Sequence, residues 1–178
     1  MNRSAAAESV KLQGAEADRS HPPEQSPETI EALQSFRVIF RAVRRHFHEV
    51  EERCGISGSQ LWALASVVEE PGVRVTELAR RLSIHQSTAS NLVDVLVRRG
   101  RIERRRGAID QRVVELYPTR SGRGVVRKAP QPLQGLLPDA LDHLAPETLS
   151  ALHLQLESLL QVMQLRDASA AQIPLADD

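Results

Sequence analysis

The chain has 178 residues, 41% of them hydrophobic and 26% charged, the mix of a soluble globular protein long enough for one domain. No apolar run approaches the roughly 20 residues of a membrane span, no N-terminal stretch resembles a signal peptide, and the single Cys54 excludes an internal disulfide framework or a Cys-rich metal site, so a cytoplasmic location is expected. The net charge is zero but unevenly spread: −1 over residues 1–54 (8 basic, 9 acidic), +7 over 55–128 (14 and 7) and −6 over 129–178 (1 and 7), the balance expected if only the middle meets a polyanion. Aromatic residues are confined to Phe36, Phe40, Phe47, Trp62 and Tyr117, so the core must be built from Leu, Val, Ile and Ala.

Residues 1–28, rich in Ala, Ser, Glu and Pro, read as a mobile tail. A long helix over 29–54 follows, with Ser26 and Pro27 as its start signal. Phe36, Ile39, Phe40, Val43, Phe47 and Val50 recur at three- and four-residue steps along it, and Gly55 fits its C-cap. Ser57 and Gln60 have capping-box spacing and open a helix that ends at Pro71-Gly72. A third helix runs from about Val75 to Leu82, and a fourth from Gln86 to Arg99, closed by Gly100. The period then changes from 3.6 to 2. Ile102 on one side, and Val113, Glu115 and Tyr117 on the other, flank Gly107-Ala108-Ile109-Asp110 as a β-hairpin with an Arg-rich tip. Thr119 or Ser121 starts further helix, which Pro130 and Pro132 kink or break. Ala145-Pro146-Glu147 begins a last helix with Leu149, Leu152, Leu156, Leu159, Leu160 and Met163 on one face. Beyond Arg166 the chain is expected to fray.

Short helices followed by a two-stranded hairpin make a winged helix-turn-helix over residues 55–120, mainly α with a β wing. Ala79 is small where two helices must cross. The fourth helix opens with Gln86, Ser87, Thr88, Ser90 and Asn91, whose hydroxyls and amides suit base edges and phosphates. N-terminal capping is the plain alternative, but five polar residues in six exceed what a cap needs. Arg98, Arg99, Arg101, Arg104, Arg105 and Arg106 then place six guanidinium groups in nine residues against Glu103 alone, with Gln111 and Arg112 beyond the hairpin tip. Arginine on a protruding hairpin can enter a narrow minor groove while its neighbours neutralise phosphates. Asp110 suits pairing with an arginine that fixes the wing shape.

The apolar stripes of the first helix (29–54) and of the C-terminal helices (121–166) exceed what a winged domain of this size can cover. Burial between two copies of the chain would solve this and supply the two-fold symmetry that half-sites need. The duller alternative is a dimeric interaction module without DNA binding. An enzyme is not expected: Gly55-Ile56-Ser57-Gly58-Ser59 lacks the second glycine of a nucleophile elbow, and no glycine run fits a phosphate loop. No cofactor is called for. His46, His48, Glu49 and Glu52 could form a helical metal site, but no second cluster with ligand spacing accompanies them, so no metal is expected.

The segments Gln60-Leu61-Trp62-Ala63-Leu64, Glu77-Leu78-Ala79 and Ser87-Thr88-Ala89-Ser90-Asn91-Leu92-Val93-Asp94 occur in that order. Leu96 to Gly100 and Asp110-Gln111-Arg112 ahead of Leu116-Tyr117-Pro118-Thr119 follow them. In this order and spacing they resemble the MarR family of bacterial transcriptional regulators, over roughly residues 30–165. The resemblance implies a homodimer with interleaved first and last helices on a pseudo-palindromic operator. It implies that the helix from Gln86 reads the major groove and that Arg112 is the minor-groove wing residue. It also implies release of a repressor by a small aromatic or phenolic effector, held between the dimerisation helices and the winged domain. His46, His48 and Trp62 could contribute to that pocket, the plainer reading being a packed tryptophan and two surface histidines. A redox-sensing branch of the family suggests Cys54 as an alternative signal, although an incidental cysteine is the simpler expectation. Pro118 departs from the family pattern and is expected to shorten the second wing strand.

Overall fold

The computed structural model describes residues 25–107, 111–164 and 172–174. The N-terminal tail up to residue 24, Asp110 with its two preceding neighbours, and most of the C-terminal tail lie outside the described residues. The elements are α1 (Pro27–Cys54), α2 (Gly58–Glu69), α3 (Val75–Arg81), α4 (Gln86–Arg98), β1 (Ile102–Arg106), β2 (Val114–Pro118), α5 (Arg120–Lys128), α6 (Leu136–Asp142) and α7 (Pro146–Val162). The chain divides into two units, residues 1–36 and 37–178. In the first, the described start of α1 leaves Ile30 and Leu33 exposed.

The second unit holds the core. Leu61, Ala63, Leu64 and Val67 of α2, Leu78 of α3, Val93 and Leu96 of α4, Ile102 of β1 and Leu116 of β2 are sealed from solvent, and Val125 of α5 joins them. Aliphatic side chains make up this cluster, as the scarcity of aromatics requires. Val50 near the end of α1 is part of it, whereas Ile39 and Phe40 further up the same helix stand exposed. One helix thus contributes its last turns to the winged domain and leaves its middle uncovered.

Local signals set the boundaries. Ser57 is the N-cap of α2, its hydroxyl accepting from the Gln60 amide at 3.3 Å. Glu77 reaches back to the Arg74 amide at 3.0 Å and opens α3. The α3–α4 turn is closed by the Ile84 amide donating to the Ala79 carbonyl at 3.0 Å, with Ala79 buried at the crossing. Between α4 and β1, Gly100 takes a positive φ of 64° that a side chain would strain.

The hairpin pairs antiparallel in the register Ile102↔Pro118, Arg104↔Leu116, Arg106↔Val114. A further tie anchors it, because the Gly72 amide donates to the Leu116 carbonyl and the Leu116 amide to the Val73 carbonyl. The second wing strand ends at Pro118. Pro118 is the buried last residue of β2, where the ladder no longer needs an N–H from it.

Of the two candidate starts for the next helix, Thr119 is the N-cap of α5: its hydroxyl accepts from the Gly122 amide at 3.0 Å and donates to the Gly100 carbonyl at 2.8 Å. Thr119→Ala removes both bonds and is expected to cost about 1–2 kcal/mol, read as a lower urea midpoint. The break expected at the proline pair is present, with α5 ending at Lys128 and α6 starting at Leu136. No residue of α7 is buried, and Leu154, Leu159, Leu160, Val162 and Met163 are all exposed.

Candidate nucleic-acid interface

Helix α4 begins at Gln86, so its N-cap is His85, whose side chain makes no capping bond. The polar opening of the helix is therefore not used to cap it. Gln86, Ser87 and Asn91 are exposed and Thr88 and Ser90 half-exposed, while Ala89, Leu92, Val93 and Leu96 on the opposite face are buried in the core. Among the described residues none of the five polar side chains is engaged in a hydrogen bond within the protein. Rigid burial of one face and unused donors and acceptors on the other suit a helix that reads a groove.

The arginine block is sorted by the fold into two groups. Arg99 donates to the Gly55 carbonyl at 2.7 Å and ties the end of α4 to the α1–α2 junction. Arg101 is bonded to the Ser121 hydroxyl, Arg104 to the Asp94 carboxylate and Arg105 to Glu103. Arg105 also lies over the Tyr117 ring, 4.4 Å from its centroid, and the Tyr117 hydroxyl donates to Glu115 at 2.9 Å. Arg98 and Arg106 are exposed and, among the described residues, in no ion pair. Sequence reasoning treated the six as one polyanion-binding run; four of them have structural partners. The exposed pairs are worth little individually, so a phosphate can exchange for the carboxylate on Arg104 or Arg105.

Asp94 is the residue that sequence reasoning left without a role. It sits on α4 one turn after Asn91, and its pairing with Arg104 of β1 links α4 to the wing. Its ten-residue separation from Arg104 carries no local signature. Gln111 and Arg112 are both exposed, in the turn that leads into β2.

The three residues considered for an effector pocket are placed differently from one another. His46 is buried at 6% exposure, not on the surface. His48 is exposed and pairs with Glu52 at 3.2 Å. Trp62 is partly buried and packs against the core cluster. Cys54 is half-buried, and desolvation pushes its thiol above the usual range although Arg53 and Lys128 pull the other way. A sensor thiol needs the reverse shift.

Residues 54–112 match the model of the MarR family. Among curated proteins the chain is similar to the HTH-type transcriptional repressor MdtR of Bacillus subtilis (strain 168), at 28% identity over 88 residues that cover 49% of this chain and 57% of MdtR. The chain thus spans little more than half the length of that relative. Among solved structures it is similar to YusO of Bacillus subtilis (TM-score 0.50, 23% identity, covering 80% of this chain and 100% of that one). It is also similar to Streptococcus pneumoniae FabT in complex with DNA (TM-score 0.50, 20% identity, covering 78% and 98%). The structural likenesses show the winged helix-turn-helix fold, and over residues 54–112 the chain is similar to the MarR family.

Proposed function

We propose that the protein is a transcriptional regulator that binds a pseudo-palindromic DNA operator as a homodimer. The observation that carries this reading is the start of α4: five groove-compatible polar side chains, free of capping duty, on a helix whose other face is locked in the core. Gln86, Ser87, Thr88, Ser90 and Asn91 read the major groove. Arg98, Arg105, Arg106, Gln111 and Arg112 meet phosphates and the minor groove, and Asp110 shapes the wing.

The uncovered apolar residues of α1 and α7 favour the homodimer, since Val38 (69% exposed), Phe40 (64%) and Val162 (81%) are unsuited to lasting contact with water. Repression is the sense favoured by likeness to MdtR, which is named a repressor. Release by a small aromatic or phenolic effector is the regulation that the family resemblance implies. The raised Cys54 thiol speaks against redox sensing, and the Arg-rich wing against a module without DNA.

Footprinting on the protein's own promoter tests the reading. A dimer should protect two half-sites about one helical turn apart. Protection of a single half-site, or none, would contradict it. Asn91→Ala is expected to cost roughly 1–3 kcal/mol of operator affinity, concentrated at particular base pairs, as read by titrating point-mutated operators.

A further inference from the structure

The end of α1, the residue before β1 and helix α5 line an open pocket of about 300 Å³, formed by Cys54, Arg101, Gly124 and Val125 with the exposed Arg53, Ser121 and Lys128 at its rim. Its charge is one-sided, with three cations and no carboxylate in the wall. Glu49 reaches Arg53 from outside at 2.7 Å and balances it. Among the described residues neither of the other two has a carboxylate partner: Lys128, exposed at the rim, enters no ion pair, and the half-buried Arg101 reaches only the neutral Ser121 hydroxyl. The Arg101 Nε is moreover buried without an acceptor, a desolvation cost that nothing in the protein offsets. Ser121 accepts from Arg101 and so retains its own proton to donate.

We propose that this pocket is a binding site for a small phosphate-like dianion. Two unbalanced cations match two negative charges, and a tetrahedral oxyanion offers acceptors to Arg101, Lys128 and the Ser121 hydroxyl together. A monocarboxylate would leave one cation unmatched. Val125 and the half-buried Cys54 complete the wall, which carries no carboxylate to repel an oxyanion. Arg101 directly precedes β1, and its carbonyl accepts from both the Thr119 amide (3.0 Å) and the Thr119 hydroxyl (3.2 Å), so an anion here would be held at the root of the wing.

Isothermal titration of the full chain, at low ionic strength and about pH 8 where a phosphate monoester is doubly charged, tests the site. Inorganic phosphate and sulfate are expected to saturate one site per chain, with acetate roughly tenfold weaker. Lys128→Gln should weaken phosphate roughly tenfold, while Arg123→Gln, which alters α5 outside the pocket, leaves it unchanged. Ser121→Ala gives a second variant that spares the charge and should weaken phosphate severalfold. A stronger response to glycerol 3-phosphate than to phosphate would mark the ligand as a phosphorylated metabolite, and the converse as the free ion. No saturable binding, acetate as tight as phosphate, or Lys128→Gln behaving as wild type would overturn the site. No DNA is present in this titration, so its outcome is independent of the regulator reading.

Discussion

Arg112→Ala is expected to weaken operator binding by roughly 2–6 kcal/mol, because the proposed homodimer would carry two wings and each base-contacting arginine is worth about 1–3 kcal/mol. The lower bound is already a loss of about thirtyfold. Arg112 is exposed in the turn before β2, and the hairpin behind it is braced at several points. Arg105 stacks on Tyr117, Arg104 pairs with Asp94 on α4, and Leu116 is hydrogen-bonded to the Gly72–Val73 segment. On the proposed reading, a braced hairpin would deliver its arginine to the groove with little ordering cost, so removal of the side chain would forfeit most of the contact. Titration of wild type and variant against one operator at a single salt concentration checks this. Equal affinities would mean that the wing does not enter the groove.

Gly122→Ala is expected to destabilise the fold by roughly 3 kcal/mol, at the upper end of overpacking costs. A methyl group on Gly122 would overlap the Arg101 carbonyl and come within 3.2 Å of Leu64 Cδ1. Neither neighbour can yield cheaply. The carbonyl holds the Thr119 N-cap, and Leu64 is fully buried. The first turn of α5 would have to lift away from the α4–β1 junction, taking the root of the wing with it. Gly124→Ala on the same helix is the control. Its methyl group would meet only the end of the Arg127 side chain at 3.9 Å, so the exchange should stabilise by up to about 1 kcal/mol through helix propensity. Urea unfolding followed by Trp62 fluorescence, at one protein concentration for all three chains, separates the two. A Gly122→Ala midpoint equal to wild type would refute the close approach of α5.

The helices were open to sequence reading because their signals are local. Ser57, Gly55, Pro71-Gly72 and Gly100 punctuate the chain within a few residues of the boundaries found, and the period change at Ile102 marks the wing. The polar opening of α4 was equally legible, and the structure adds that capping does not explain it. What escaped is long-range. Arg99 bonds to Gly55 across 44 residues, and Arg101 to Ser121 across 20. A run of like charges therefore read as one surface until the fold assigned partners. His46 shows the same limit: a polar residue beside the apolar stripe of α1 is buried, which its position in the stripe does not announce. Pro118, by contrast, acts locally: it is the last residue of β2, opposite Ile102 at the end of the ladder, where a residue without an N–H is tolerated.

The most direct measurement is titration of the purified protein against fragments of its own promoter region at several salt concentrations. A DNA-binding regulator with this α4 and this wing should bind one fragment tightly, with the logarithm of affinity falling linearly and steeply against the logarithm of salt. Weak binding that is the same for every fragment, or affinity indifferent to salt, would contradict a regulator that reads a specific operator through α4 and an arginine-bearing wing.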